Sequence, residues 1–343
     1  MFEPLSPISE MKTENIRMSI GAVNRLIKAN RTLLICGEEE CLSQLDVGNW
    51  IGGTIPYCMS DEGGGTIGAQ AVFVTDFTNR TVDFKIDSYE KEDFSQLLDD
   101  RFLDGFTYIL MPAFSEIQEH YGLNMGNQPN LFDVPTMGWV TGVYLEEIGS
   151  KTPKVIDGRT GTIFENRICA LHCQLPKGEY AELDIINIYK EGKGDVFTFS
   201  EDSFSCSDCL INGVPENLAA YYVENDIDRT LPLVANYSGA LINVDVQNVD
   251  VENKRMSFFG PLNTAHDYTV AEYVENRYEV FCEKLPADNS SILCSCNCIS
   301  SYLNIGMEGK HSGGIVGPFT FGEIAYVLVN QTMVTLSIIK SDD

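Results

Sequence analysis

Thr32-Leu-Leu-Ile-Cys36 is a short apolar run stopped by Gly37, and its flanks decide the fold class. Upstream, Ile16, Ile20, Val23, Leu26 and Ile27 recur at helical spacing, so 14–29 reads as a helix, with Lys28 suited to its last turn. Downstream, 38–45 reads as a second, shorter helix. A buried strand held between helices is the unit of a layered protein of α and β elements. Further strands are expected at 71–75 and 82–86, paired around a turn at Asn79, and at 105–111, which runs through Pro112 into a helix over 114–121. The middle is β-rich, with strands at 136–144, 167–174 and 181–189 and a hairpin turn at Asp157-Gly158. A second set of strands follows from about residue 230: 240–249, 255–261, 292–298, 325–329 and 332–338, with a helix over 271–282. Residues 213–232 carry helix and turn signals. The expected fold is therefore α+β: two domains, 1–225 and 226–343, of mixed β-sheets packed face to face with flanking helices.

The length of 343 residues supports two such domains, and 44% hydrophobic residues can fill their cores without crosslinks. Fifty acidic residues against 23 basic ones give a formal charge of −27. That balance lacks the basic footprint of a nucleic-acid binder and opposes an anionic membrane surface. Met1 to Glu10 contains no basic segment leading into an apolar stretch, and no run is long enough to span a bilayer, so no membrane insertion and a cytoplasmic location are expected. Eleven cysteines, an odd number spread over a long chain, fit a reduced compartment better than a disulfide framework.

Three blocks near the C-terminus resemble one known family. Phe258-Phe-Gly-Pro-Leu262, with His266-Asp-Tyr268 and Val270-Ala-Glu-Tyr-Val-Glu-Asn-Arg-Tyr278, resembles the opening of the C-terminal domain of FIST (F-box and intracellular signal transduction) proteins. Ser291-Ile-Leu-Cys-Ser-Cys296 resembles that domain's apolar strand ending in Cys. Gly317-Pro-Phe-Thr-Phe-Gly-Glu-Ile324 and Leu328-Val-Asn-Gln-Thr332 resemble its closing signature. Earlier in the chain, Gly48-Asn-Trp-Ile-Gly-Gly-Thr-Ile55 stands where the FIST N-terminal domain has a glycine-rich loop, with a spelling unlike the common Gly-Cys-Ser version. The resemblance implies a non-catalytic sensory protein that binds a small ligand, such as an amino acid, and signals through a protein partner. Some such proteins resemble haem-binding gas sensors, and a homo-oligomer is compatible with the reading.

The expected ligand site lies near the domain interface. One side is Trp50, Gly52, Gly53 and Tyr57, where glycines let backbone approach a ligand and aromatics offer flat faces. The other is Phe319, Phe321, Gly322 and Glu323, with Cys296 and Asn330 beside them. Glu323 could pair with an ammonium group, so Glu323→Gln is expected to weaken a cationic ligand several-fold. Neither loop is a phosphate-binding motif: there is no Gly-Lys-Ser/Thr and no GxGxxG.

Two other readings stand beside this one. In a haem- or metal-binding sensor (zinc or iron–sulfur), the candidate ligands are Cys206 and Cys209 of a CxxC, Cys294, Cys296 and Cys298 alternating on one strand face, and His172. In a thiol-dependent enzyme, Cys296 would pair with His172. No Gly-x-Ser-x-Gly and no His-Glu-x-x-His is present.

Overall fold

The computed structural model describes residues 15–237 and 239–341. Met1 to Glu10 and the proposed helix start at Glu14 lie outside them. The chain is α+β and built mainly of mixed β-sheets.

The first sheet runs in the order Asn15–Ser19, Ala71–Asp76, Leu33–Gly37, Trp50–Thr54, Val155–Asp157, Thr162–Phe164, with only Leu33–Gly37 and Trp50–Thr54 parallel. Helix Ile20–Lys28 packs Val23, Leu26 and Ile27 against Trp50, Val72 and Val74 of its face. The second sheet is Val327–Val329, Glu323–Ala325, Thr136–Thr141, Gly105–Pro112, Ile168–Gln174, Asp83–Tyr89. Its central strands, GFTYILMP and TMGWVT, are parallel and buried at every residue, as a strand covered on both faces must be. The third sheet is Glu179–Ile186, Met333–Lys340, Ile292–Cys298, Gly317–Thr320, Tyr57–Ser60, Gly63–Thr66. The fourth is antiparallel: Val214–Asn217, Asp208–Ile211, Glu191–Thr198, Asp267–Ala271, Leu233–Tyr237, Ala240–Val244. A small sheet joins Ser203–Cys206, Arg255–Leu262 and Val246–Asp250.

Several local expectations need correction. Asn15–Ser19 is a strand paired with Ala71–Asp76, because Ile16 and Met18 follow the period of two as readily as that of a helix. Ala71–Asp76 and Asp83–Tyr89 do not pair; they join the first and second sheets. The helix expected over 271–282 begins only at Arg277, after strand Asp267–Ala271. The glycine-rich 48–57 and 313–321 stretches contain strands rather than open loops.

Residue 225 falls just after helix Leu218–Glu224, and the second and third sheets draw strands from both sides of it. The stretch Gly317–Ala325 crosses between them: Gly317–Thr320 belongs to the third sheet and Glu323–Ala325 to the second. Gly322 makes the crossing with φ +151, a conformation only glycine adopts without strain.

Candidate functional site

Strand Gly105–Pro112 ends at a proline, and Ser115 then caps helix Glu116–Asn124, its hydroxyl accepting the Gln118 N–H at 3.3 Å. The same hydroxyl donates to the Pro112 carbonyl at 2.6 Å, and the Phe114 N–H donates to Gln118 Oε1 at 2.7 Å. These bonds hold Phe114 at φ +59, a left-handed conformation that is unfavourable for an aromatic residue. Its ring is half-exposed and meets Phe321 edge-on, centroids 6.1 Å apart.

Phe114 overhangs a groove of about 440 Å³, a volume in the range of small-molecule sites. One wall is Phe114, Ser115 and the first turn of the helix, with Glu116 and Glu119. The other is the small sheet: Phe204 and Ser205 from one strand, Arg255, Ser257, Phe258 and Phe259 from the next. The Arg255 guanidinium donates to the Ser205 hydroxyl. Gly122 lets the walls meet at one end, since a Cβ there would lie 2.6 Å from the Phe204 ring. The groove thus combines four aromatic rings, one guanidinium and two carboxylates. Its lining also carries the hydroxyls of Ser115, Ser205 and Ser257.

The residues expected from sequence lie in the core, outside the groove's lining. Trp50, Tyr57, Cys296, Phe319, Phe321, Glu323 and Asn330 are at most 6% exposed, and Gly52, Gly53 and Gly322 are buried. The two glycine-rich segments do meet, for Tyr57–Ser60 pairs with Gly317–Thr320, and Tyr302 touches the Tyr57 and Phe319 rings. Trp50 does not join them. Its indole packs over Gly158 in the separate core under helix Ile20–Lys28 and donates to the Asp46 carbonyl. Gly53 instead faces Trp139, where a Cβ would come within 2.8 Å of the ring.

Glu323 is wholly enclosed. It accepts from the Thr332 hydroxyl at 2.9 Å and the Thr320 hydroxyl at 3.4 Å, and burial pushes its carboxyl well above the usual range. Its carboxyl has no solvent exposure and is held by these two hydroxyls. Glu323→Gln should leave ligand affinity within about twofold by calorimetry; a several-fold loss would show that this side chain reaches the ligand after all.

Of the metal and haem candidates, His172, Cys209, Cys294, Cys296 and Cys298 are buried and Cys206 is partly exposed. His172 is fully buried, with Nε2 2.9 Å from the Tyr89 hydroxyl and Nδ1 2.9 Å from the Thr107 hydroxyl. Both ring nitrogens are engaged, so neither is offered to iron or to a thiol. Burial lowers its pKa to about 4 and keeps it neutral. The Cys294 thiol lies 4.0 Å from the Met137 sulfur, and the Cys296 thiol donates to the Gly138 carbonyl at 3.5 Å. Cys298 is buried next to Glu323. Among the described residues no three His, Cys, Asp or Glu side chains are grouped as a metal site requires.

Sequence reasoning missed the groove's own residues. A signal for Phe114 existed in Ser115-Glu-Ile-Gln118, the spelling of a helix cap, directly after Pro112-Ala-Phe114. Phe258 and Phe259 stood inside the quoted resemblance but were not read as ligand contacts. Residues 18–339 match the profile of a family of unknown function (DUF6976). The chain belongs to the DUF6976 family. The matched span includes both groove walls, so the site lies within the DUF6976 unit. None of the curated proteins or solved structures compared with the chain matches it. Among the described residues, no helix is long and apolar enough to cross a membrane.

Proposed function

We propose that this chain is a sensory protein of the FIST type, cytoplasmic and non-catalytic, that binds a small zwitterion such as an amino acid in the Phe114 groove and signals its occupancy to a protein partner. The observation that carries the reading is Phe114 itself: an aromatic residue held in a left-handed conformation over a groove between the N-terminal helix Glu116–Asn124 and C-terminal strands. Such strain persists where structure over-determines it and is common at ligand clamps and switches. Arg255 suits a carboxylate, Glu116 and Glu119 suit an ammonium group, and the rings suit an apolar side chain. In this reading the ligand bridges helix Glu116–Asn124 and the small sheet.

The signal has a physical route. Phe114 contacts Phe321, and Phe321 precedes the Gly322 crossing between the second and third sheets. A ligand that displaces the Phe114 ring biases the packing of Phe321 and therefore of both sheets. Titration calorimetry against the common amino acids tests the idea. At least one should bind. Arg255→Ala should then weaken it ~10- to 100-fold, the loss of a charge-assisted hydrogen bond, and Phe114→Ala should weaken ligands with apolar side chains more than glycine. Absence of binding by every amino acid, or binding untouched by both variants, would overturn the assignment.

A further inference from the structure

Ser203–Cys206 and Asp208–Ile211 belong to different sheets, the small one and the fourth, and meet at a bend on Ser207. The bend is fixed on its outer side: Leu218 N–H and the Asn217 amide both donate to the Ser207 carbonyl, at 2.9 and 2.8 Å. On its inner side stand Cys206 and Cys209, both free thiols. Cys209 is buried among Phe197, Leu218, Tyr222 and Met256, and Cys206 packs against the same cluster from its edge. The Cys206 thiol donates to the Asp208 carbonyl at 3.3 Å, and the two cysteines, three residues apart across the bend, pack on the same apolar cluster. Of the eleven cysteines, nine are buried; Cys206 is partly exposed and Cys282 is fully so. Cys206 is therefore the cysteine that is both reachable from solvent and packed on the same cluster as a second cysteine.

We infer that Cys206 and Cys209 form a peroxide-oxidised dithiol site, whose disulfide clips the small sheet to the fourth. The Cys206 thiolate attacks one peroxide oxygen, the O–O bond breaks, and a sulfenic acid and one water result. The Cys209 sulfur then attacks the Cys206 sulfur, the S–O bond breaks, and the hydroxyl leaves as a second water with the Cys209 proton. Two thiols lose two electrons in all, and the peroxide is reduced to two waters. The local chemistry assigns the order of attack. The Cys209 thiol lowers the Cys206 pKa, with the Arg255 guanidinium helping and burial, Asp208 and Glu201 opposing, whereas Cys209 is raised by its thiol neighbour and by burial. The inference requires no ligand in the Phe114 groove.

The test uses the reduced full-length chain and one equivalent of hydrogen peroxide. Free thiols are blocked with a first alkylating reagent; disulfides are then reduced and labelled with a second, and each cysteine is located by peptide mass. The expected result is the second label on Cys206 and Cys209 together and the first on Cys282, with Cys206 oxidised at least ~10-fold faster than Cys282. Cys209→Ser should leave Cys206 as a sulfenic acid that dimedone captures. First label on both Cys206 and Cys209 after peroxide, or second label on Cys206 paired with Cys282, would overturn the assignment, and the wild-type mapping alone is sufficient to see either.

Discussion

Gly138→Ala should lower stability by at least ~3 kcal/mol, seen as a fall in the urea midpoint with the slope unchanged. Gly138 lies opposite Ile109 in the parallel pair at the centre of the second sheet, where both strands are buried throughout. A Cβ at this position would come 2.0 Å from the Ile109 carbonyl oxygen and 2.8 Å from Ile109 Cγ1. The first neighbour is backbone, so relief requires the strands to separate rather than a side chain to rotate. Overpacking by one methyl commonly costs ~1–3 kcal/mol where side chains can yield, and here they cannot. The Cys296 thiol, bonded to the Gly138 carbonyl, would be displaced with it. Gly65→Ala is the control: it lies on an edge strand, a Cβ there meets nothing within 4 Å, and its effect should stay within ~0.5 kcal/mol. Equal midpoints for Gly138→Ala and wild type would show that the two strands are looser than their contacts indicate.

Asp245→Asn should act in the opposite direction, stabilising the chain by up to ~3 kcal/mol at neutral pH and by almost nothing below pH 3.8. Asp245 is 3% exposed, between strands Ala240–Val244 and Val246–Asp250. It accepts from Gln331 Nε2 at 2.5 Å, and from the Ser300 side chain and the Val246 N–H. Among the described residues no cation acts on it, and the titratable groups near it are Cys298 and Tyr189. Burial raises its pKa from 3.8 to about 6 despite those three donors. An acid whose folded pKa lies above its unfolded one favours folding fully below the unfolded value, and loses that advantage as pH rises through the folded value. The window is therefore about pH 3.8 to 6, and the difference is worth ~3 kcal/mol. His172 titrates across part of that window with the opposite effect, because its lowered pKa makes protonation on acidification destabilising. The wild-type profile sums these with the other shifted groups, Glu323 among them, so the wild-type minus Asp245→Asn difference is the quantity to read. A variant less stable by the same margin at neutral and acid pH would mean that the carboxylate is a required acceptor, and that its burial carries no net cost.

The parts of this architecture that were legible in the sequence are those whose signal is local. Leu33–Gly37, Gly105–Pro112 and Ile292–Cys298 announce themselves as apolar runs bounded by breakers, and the Asp157-Gly158 hairpin by its turn residues. Pairing was not legible, since nothing in 71–89 says that its two strands leave for different sheets. The convergence of the segment around Tyr57 with that around Phe319 was foreseen, yet its meaning differed. Their glycines allow close backbone packing, as Gly317 shows: a Cβ there would lie 2.2 Å from the Ser295 carbonyl oxygen. The Phe114 groove was hidden for a different reason. Its walls come from residues about 90 and 140 positions apart, and its most telling property is a backbone dihedral, which no composition reveals.

The interleaving of the sheets also bears on how the chain reaches this state. Tyr57–Ser60 finds its partner in Gly317–Thr320, and Thr136–Thr141 finds one in Glu323–Ala325. During synthesis the early strands emerge long before the late ones exist, and those edges stand unpaired until residues 317–325 are out. Folding governed by such distant pairing is slow, and it exposes apolar strand edges while it waits. A ribosome-bound chain stopped before residue 317 should therefore remain protease-sensitive at 50–66, and the Gly317–Ala325 stretch acts as the latch between the second and third sheets.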